Sequence, residues 1–254
     1  MYLIDFGAEY PISWVGCIYM TGWLAVKLWQ PLLFIAVVSY FLGCFNGAVI
    51  VSKYILRDDV RNHGSGNAGL TNFHRTFGGG LTFVVILCDV LKAVVALLIA
   101  VAVSKNQYVV DILISIDEFW LTCALPPVVA KYWAALFCLL GHMFPCMFHF
   151  KGGKGILSGG TIALMIDWRV ALVVWGGFLV LVILTRYVSL GSVWAGASFP
   201  VATWFAFQNA YGLFRWIMFV LALITGGLVV WQHRGNIKRL LSGTESKFSL
   251  HKKK

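Results

Sequence analysis

The stretch PLLFIAVVSYFLGCFNGAVIVS, residues 31–52, carries no charged residue. About 20 apolar residues cross the hydrocarbon of a bilayer once, so this stretch is long enough to span a membrane as a helix. The next such stretch, residues 81–103, is interrupted only by Asp89 and Lys92. We expect these two side chains to pair on one helical face and to pack inward, with a proton relay as the alternative.

Five further apolar stretches follow, and some of them are short. They are residues 132–150, 156–166, 170–185, 193–207 and 216–232. The sequence therefore predicts an all-α polytopic membrane protein with about seven transmembrane helices. We interpret residues 1–30 as an N-terminal extension lying in the interface, 31–245 as the membrane-embedded domain and 246–254 as a basic tail.

The composition of the whole chain supports this interpretation. Of its 254 residues, 60% are hydrophobic and 12% are charged, and the mean hydropathy is +0.83. Soluble domains average roughly 45–50% apolar and about 25% charged residues, so lipid must cover much of this protein. The formal net charge of +10 lies beside the apolar stretches, which favours the lipid bilayer as partner and argues against nucleic acid.

The positive charges divide unevenly when alternate loops are assigned to opposite sides of the membrane. One side receives Lys53, Arg57, Arg61, Arg75, Lys151, Lys154, Arg186, Arg234, Lys238, Arg239, Lys247 and residues 252–254. The other side receives Lys27, Lys105, Lys131, Arg169 and Arg215. Cytoplasmic loops carry the excess of Lys and Arg, so we expect the N-terminus outside and the C-terminus in the cytoplasm.

The first predicted cytoplasmic loop reads HGSGNAGLTNFHRTFG, residues 63–78. Glycines at this spacing let backbone N–H groups converge on an anion, and Arg75 adds a planar charged fork. The candidate neutral donors are Ser65, Asn67, Thr71 and Asn72. The pattern favours a phosphate site, and the alternative is a merely flexible loop.

The second predicted cytoplasmic stretch contains GHMFP, residues 141–145, and FKGGKG, residues 150–155. Lys151 and Lys154 place two cations beside glycines, among them Gly153, where a backbone can approach a phosphate closely. The stretch lacks the pattern of a Walker P-loop. The alternative is a positive anchor on the cytoplasmic side.

Two shorter blocks fall on the same predicted side. In TRYVSLGS, residues 185–192, Arg186 could reach headgroups, and Ser189 and Ser192 could cap a helix. In HRGNIKRLLSGTE, residues 233–245, His233 and Asn236 share a helical face. All four blocks can therefore meet at headgroup level, with phosphate in water and an acyl chain in lipid.

These four blocks, in this order, resemble the bacterial acyl-phosphate:glycerol-3-phosphate acyltransferase family. With the DVLK run at 89–92, the resemblance covers about residues 40–250. It implies transfer of an acyl group from acyl phosphate to the 1-hydroxyl of glycerol 3-phosphate, which gives lysophosphatidic acid and inorganic phosphate in the first step of phospholipid synthesis. It also implies the bacterial cytoplasmic (inner) membrane, a site on its cytoplasmic side, no cofactor or metal, and a functional link to an enzyme that makes acyl phosphate.

The resemblance also implies roles for particular residues. The implied phosphate- and substrate-binding residues are Ser65, Gly66, Asn67, Thr71, Asn72, Arg75, Lys151, Gly153, Arg186 and Ser192. The implied catalytic residues are His233, Ser189, Lys154 and Asn236. An acyl phosphate is already activated, so we expect direct attack without a covalent enzyme intermediate. Whether His233 or a substrate phosphate takes the proton is left open, with a preference for the phosphate.

Two other classes of membrane protein are weighed against this reading. A transporter of phosphorylated solutes needs basic loops too, but it should carry internal repeats or polar residues at the midplane. A CDP-alcohol phosphotransferase needs aspartates for metal ions, and the four blocks contain none.

Overall fold

Helices form along the apolar stretches because hydrocarbon offers no hydrogen-bond partner to backbone groups, and a helix satisfies them within itself. The computed structural model describes residues 14–106, 125–210 and 212–248. Every regular element in these ranges is helical. The prediction of an all-α protein is therefore confirmed.

Ten α-helices run through the described ranges. They are α1 (Trp14–Cys44), α2 (Gly47–Ile50), α3 (Leu70–Thr76), α4 (Leu81–Ser104), α5 (Pro127–Met143), α6 (Ile156–Ile166), α7 (Trp168–Thr185), α8 (Val188–Ala206), α9 (Gly212–Gln232) and α10 (Arg234–Leu241). A π-helical turn lies at Val51–Ile55, and 3-10 turns lie at Val60–Asn62 and Cys146–Phe148.

Five stretches of the described chain are long and apolar enough to cross a membrane. They are Trp29–Ile55, Leu81–Ser104, Pro127–Phe148, Trp168–Thr185 and Gly212–Gln232. The predicted spans at 156–166 and 193–207 fall in α6 and α8, outside this set. The total of seven spans and their orientation therefore stay predictions. Side chains such as Ile183 and Leu184 are 74% and 76% exposed, as expected where lipid covers the surface.

The first helix begins earlier than the sequence suggests. The span predicted at residues 31–52 is part of α1, which starts at Trp14 because apolar residues continue upstream of Pro31. The predicted boundary between the extension and the membrane domain thus falls inside one helix. Residues 1–13, 107–124, 211 and 249–254 lie outside the described ranges, and with them the first part of the predicted extension and most of the predicted basic tail.

The predicted continuous helix over residues 31–52 is interrupted after Cys44. Asn46, which is fully buried, caps the short helix that follows, since its Oδ1 accepts a hydrogen bond from the Val49 amide (3.1 Å). Its Nδ2 donates to the carbonyl of Ala68 in the glycine-rich loop (3.0 Å). One polar side chain therefore both breaks the helix and anchors the first loop.

Helices α1 and α5 cross closely near the same end of the bundle. The Tyr40 hydroxyl donates to the carbonyl of Phe144 (2.8 Å). A Cβ at Gly141 would overlap the carbonyl oxygen of Tyr40. Glycine at this position is therefore what allows the two backbones to touch.

The charged pair inside the second long span packs inward, as predicted. Asp89 and Lys92 on α4 are only 3% and 5% exposed, and the Lys92 Nζ lies 2.7 Å from the Asp89 Oδ1. Two buried opposite charges in contact neutralise each other, so the interpretation as a self-neutralising helical pair is confirmed.

We expect Gly141→Ala to lower the free energy of unfolding by about 1–3 kcal/mol, because the new methyl group forces α1 and α5 apart. Thermal unfolding of the purified protein in detergent measures the change. Gly176→Ala is the matched control, since a Cβ there meets no atom within 4 Å, and alanine favours a helix interior by roughly 0.5–1 kcal/mol over glycine. Equal midpoints for the two variants would contradict the close contact.

Candidate active site

The glycine-rich loop after the first span is folded around the side chain of Asn72. Its Nδ2 donates to the carbonyls of Val60 (3.0 Å), His63 (3.0 Å) and Asn67 (3.1 Å). Its Oδ1 accepts from the backbone amide of Ser65 (3.0 Å). Asn72 is 3% exposed, so its donors serve the loop, and the structure does not leave them free for the phosphate contact that the sequence suggested.

Other predicted phosphate ligands of this block lie at the surface of the loop and of α3. Ser65, Gly66, Thr71 and Arg75 are exposed, and Asn67 is partly buried. Gly66 has a φ of +69°, a backbone conformation that glycine adopts without strain. The exposed groups are therefore accessible to a ligand from the end of the bundle.

Arg61 joins this loop to the second predicted block. Its guanidinium binds the Asp59 carboxylate, with Nη2 and Oδ2 2.6 Å apart, and its Nη1 donates to the carbonyl of Phe148 (2.9 Å). A longer contact reaches the Lys151 carbonyl (3.4 Å). The bond to Arg61 lowers the pKa of Asp59, which marks an ionic contact that stabilises the folded state at neutral pH.

The lysine loop, residues 151–155, returns against the end of α5. The amides of Gly152 and Gly153 donate to the carbonyls of Met143 (3.2 Å) and His142 (3.1 Å). A Cβ at Gly153 would overlap the His142 Nε2 and lie 2.8 Å from the Ala68 oxygen. The first two blocks thus touch at Gly153, and Lys151 remains exposed.

Lys154, half-buried at the end of that loop, reaches the fourth block. Its Nζ donates to the Oδ1 of Asn236 on α10. The Asn236 Nδ2 then donates to the Glu245 Oε1 (2.7 Å), and the Arg239 Nε donates to Oε2 of the same carboxylate (2.6 Å). We call these four residues the lysine–glutamate cluster.

The cluster shifts the ionisation of its members. Burial lowers the pKa of Lys154 to about 8, with a further contribution from the positive charge of Arg239 against an opposing one from Glu245. Burial raises the pKa of Glu245, but its hydrogen bonds to Asn236 and Arg239, together with the nearby Ser189 hydroxyl, outweigh this effect and the net shift is downward. Lys154 is therefore a cation that titrates just above neutral pH.

Two further predicted residues, Ser189 and His233, face the cluster. The Ser189 hydroxyl is buried and has no hydrogen-bond partner within the described ranges, and it lies close enough to Glu245 to affect its pKa. The His233 Nδ1 lies 2.8 Å from the Val229 carbonyl and donates to it, which leaves Nε2 as an acceptor. Burial lowers the pKa of His233 to about 4, with Lys154 adding to the shift, so the ring is neutral at pH 7.

The remaining two predicted residues are Ser192, whose side chain binds its own helix, and Arg186, whose side chain lies at the surface. The Ser192 hydroxyl donates to the Val188 carbonyl of its own helix (2.8 Å), so its hydrogen is not free to donate to a phosphate. Arg186 ends α7 in the left-handed conformation with a φ of +61°. Its side chain is exposed, and its carbonyl accepts from the Phe248 amide (2.7 Å), which fastens the C-terminal segment to the third block.

The structure therefore brings the second, third and fourth blocks together around Lys154 and joins the first through Arg61 and Ala68. Arg75 and Thr71 stay at the rim, because no hydrogen bond within the described ranges joins either of them to the lysine–glutamate cluster. The expectation that the four blocks meet is supported, whereas direct contact of every implied residue is not.

Sequence reasoning missed two features of this end of the bundle. Glu245 was seen only as the end of a block, although it holds both Asn236 and Arg239. His142 was seen only as part of GHMFP, although its Nδ1 lies 2.6 Å from the Lys92 Nζ. The DVLK spacing could reveal the Asp89–Lys92 pair, but no local signal reveals a partner on another helix.

Comparisons with known proteins match most of the chain. The family model described as glycerol-3-phosphate acyltransferase matches residues 33–243. A glycerol-3-phosphate acyltransferase of Clostridioides difficile is 37% identical over 221 residues, which is 86% of this chain and 96% of that protein. One of Thermoanaerobacter pseudethanolicus is 33% identical over 212 residues, which is 84% of this chain and 93% of that protein.

Solved structures agree with the sequence comparison. The crystal structure of PlsY, an integral membrane glycerol 3-phosphate acyltransferase, in its glycerol 3-phosphate form matches with a TM-score of 0.65 and 32% identity. The match covers 86% of this chain and 96% of that one. The lysophosphatidic acid form matches with a TM-score of 0.63.

The fold and the polar cluster at one end of the bundle define an all-helical, multi-pass membrane protein with a basic site at its edge. The chain belongs to the glycerol-3-phosphate acyltransferase family. The resemblance drawn from four short sequence blocks is thereby confirmed.

We expect Arg61→Gln to destabilise the protein by about 1–3 kcal/mol at pH 7, because it leaves Asp59 without its cation and the Phe148 carbonyl without its donor. The stabilisation from a carboxylate with a lowered pKa is present above the unfolded value of about 3.9 and is lost as the pH falls through the folded value. Thermal unfolding at pH 7 and pH 3 should therefore show a gap between wild type and variant that narrows in acid.

Arg57→Gln is the control for this experiment. Arg57 is exposed on the same loop, so the substitution removes an equal charge and should change stability by no more than about 0.5 kcal/mol. A pH-independent gap for Arg61→Gln would show that packing, and not the ion pair, carries its contribution.

Proposed function

We propose that this protein transfers a fatty acyl group from acyl phosphate to the 1-hydroxyl of sn-glycerol 3-phosphate. The products are 1-acylglycerol 3-phosphate (lysophosphatidic acid) and inorganic phosphate. The observation that carries the proposal is the lysine–glutamate cluster, because it places a half-buried cation and an amide beside the buried side chains of Ser189 and His233. Membership of the family indicates glycerol 3-phosphate as the acyl acceptor. The chemistry of the residues around the cluster supports acyl phosphate as the acyl donor.

The donor must carry a long apolar chain, and an apolar cavity lies beside the cluster. The cavity is partly open, and its lining is almost entirely apolar. Gly155 and Ile156, which follow Lys154 directly, line it, and so does Val229, whose carbonyl binds His233. An acyl chain in this cavity would place its activated carbonyl near Lys154 and His233, with its phosphate toward the basic loops.

In the proposed reaction the 1-hydroxyl attacks the acyl carbonyl and forms a tetrahedral intermediate, which then expels phosphate. Lys154 would neutralise the growing charge on the leaving phosphate, and Ser189 and Asn236 would help to hold the reacting groups in place. A preorganised cation in a partly buried site stabilises such charge far better than it would in water. No covalent enzyme intermediate is required, because phosphate is already a good leaving group.

The proton of the attacking hydroxyl is best accepted by a substrate phosphate oxygen. A His233 side chain whose pKa is lowered to about 4 is a weak base at neutral pH. Its Nε2 can still accept a hydrogen bond from the hydroxyl, because Nδ1 is committed to the Val229 carbonyl. His233 would therefore orient the acceptor.

The proposed location is the bacterial cytoplasmic membrane, with the site on the cytoplasmic side. The uneven distribution of Lys and Arg among the loops supports this orientation. The donor must then come from another enzyme that makes acyl phosphate, since none of the proposed steps generates one.

We expect purified, detergent-solubilised protein to release phosphate from palmitoyl phosphate only when glycerol 3-phosphate is present. Lys154→Ala should lower the rate by about 100-fold or more, the usual effect of removing one preorganised charge-stabilising group. Arg75→Ala should also abolish most of the release. Lys238→Ala, which removes an exposed lysine from α10, should leave the rate nearly unchanged.

The same assay separates this function from its rival. Phosphate release that does not depend on glycerol 3-phosphate would indicate hydrolysis and contradict acyl transfer. If folded protein releases no phosphate, acyl transfer is contradicted and transport of a phosphorylated solute becomes the favoured function.

The activity should depend on the charge of Lys154. Its positive charge is present well below pH 8 and is lost as the pH rises through its pKa of about 8. We therefore expect kcat/KM for palmitoyl phosphate to fall above about pH 8 in the wild type, since kcat/KM reports groups of the free enzyme.

Lys154→Arg provides the matched test, because arginine keeps its charge to about pH 12. Whatever its absolute rate, the variant should lose the alkaline limb of the profile. An unchanged limb in Lys154→Arg would assign it to another group or to the substrates.

A further inference from the structure

The buried ammonium of Lys92 has a complete set of hydrogen-bond acceptors. Its Nζ lies 2.7 Å from the Asp89 Oδ1, 3.0 Å from the Phe45 carbonyl and 2.6 Å from the His142 Nδ1. An ammonium has three donors and no acceptor, so each of these bonds is donated by lysine. The His142 Nδ1 must therefore be the unprotonated nitrogen of a neutral ring, and the hydrogen sits on Nε2.

The Nε2–H of His142 faces the lysine loop. A Cβ added to Gly153 would overlap this nitrogen, and one added to Gly155 would lie 3.7 Å from the Cδ2 of the same ring. The backbone confirms the proximity, because the Gly153 amide donates to the His142 carbonyl (3.1 Å). The imidazole thus lies against the two glycines that flank Lys154.

This donor has no acceptor of its own. His142 is 2% exposed, and within the described ranges the only hydrogen bond of its ring is the one at Nδ1. Native structures satisfy nearly all of their N–H groups, so an N–H that the protein itself leaves unpaired is a candidate donor to a ligand. The imidazole itself fills the space that a side chain at position 153 would need, so the acceptor we infer is a ligand oxygen bound beside the lysine loop.

We propose that His142 is a further phosphate-binding residue, whose Nε2–H donates to a phosphate oxygen bound at the lysine loop. Lys92 and Asp89 are positioning residues in this arrangement. They hold His142 in the tautomer that donates toward the loop, and they never touch the ligand. The identity of the phosphate-bearing molecule rests on the proposed function, whereas phosphate binding itself does not.

Asparagine and glutamine at position 142 each reproduce one of the two nitrogen positions of the imidazole. The amide of asparagine sits near the place of Nδ1, so His142→Asn retains an acceptor for Lys92 but loses the donor to the loop. The amide of glutamine reaches the place of Nε2, so His142→Gln retains the donor but loses the acceptor. His149→Asn is the control, because His149 is exposed and its φ of +57° suits asparagine.

Binding is measured first, by the thermal stabilisation that inorganic phosphate and glycerol 3-phosphate confer on each purified protein in detergent. The KM values for glycerol 3-phosphate and for palmitoyl phosphate follow. We expect His142→Asn to weaken phosphate binding roughly tenfold or more, the usual effect of losing a hydrogen bond to a charged group. His142→Gln should stay within about threefold of the wild type, and His149→Asn should be unchanged. The KM that rises identifies which substrate's phosphate contacts His142.

Phosphate binding by His142→Asn equal to that of the wild type would overturn the proposal. So would equal losses in His142→Asn and His142→Gln together with lower unfolding temperatures, because that pattern belongs to a purely structural residue. If His142→Asn does not fold, weak phosphate binding by folded His142→Gln would overturn it as well. A wild type that is stabilised by phosphate but transfers no acyl group would refute the proposed function and leave this inference standing.

Discussion

Hydrocarbon offers no hydrogen bond to a polar group, and this constraint organises both the helical bundle and the site at its end. Helices satisfy the backbone along the apolar stretches, and where α1 breaks, Lys92 binds the carbonyl of Phe45 that the break leaves free. The same ammonium binds Asp89 on α4 and His142 on α5. One buried charge therefore ties three helices at the level where the polar loops begin. Removal of either charged partner from such a pair is costly because the other charge stays buried.

The lysine–glutamate cluster balances like charges at the end of the bundle. Lys154 and Arg239 carry like charges that would repel one another, and the Glu245 carboxylate offsets this repulsion. Asn236 stands between them, since its amide accepts from Lys154 and donates to Glu245. An amide can do both at once, whereas a carboxylate can only accept. Asparagine suits position 236 because its side chain must accept from Lys154 and donate to Glu245.

Much of the fold could be predicted from the sequence because lipid imposes a simple rule on composition. The apolar stretches at 81–103 and 170–185 became α4 and α7 with nearly the expected bounds. The break at Asn46 was missed, because an uncharged polar residue inside an apolar stretch does not by itself end a helix. Here the Asn46 amide donates a hydrogen bond to the carbonyl of Ala68 in a distant loop. The sequence around Asn46 does not reveal that Ala68 is its partner.

The site could be predicted in part for the same physical reason. Glycine and lysine spacing indicated phosphate-binding loops, and the charge distribution put them on one side. Asn72 resembled a ligand in sequence but points inward, because three carbonyls of its own loop compete for its amide. His142 lies 50 positions from Lys92, and spacing along the chain says nothing about contacts between helices.

The bonds that complete the site join distant parts of the chain, and this sets an order of events during synthesis. Arg61 and Phe148 are 87 positions apart, and Lys154 and Asn236 are 82 apart. Asn236 and Glu245 follow the last long helix, α9. A ribosome delivers helices to the membrane from the N-terminus onward, so the first two blocks can dock while the rest is still being made. Lys154 acquires its partners only after α9 has entered the bilayer, and a nascent or truncated chain consequently holds an unfinished site.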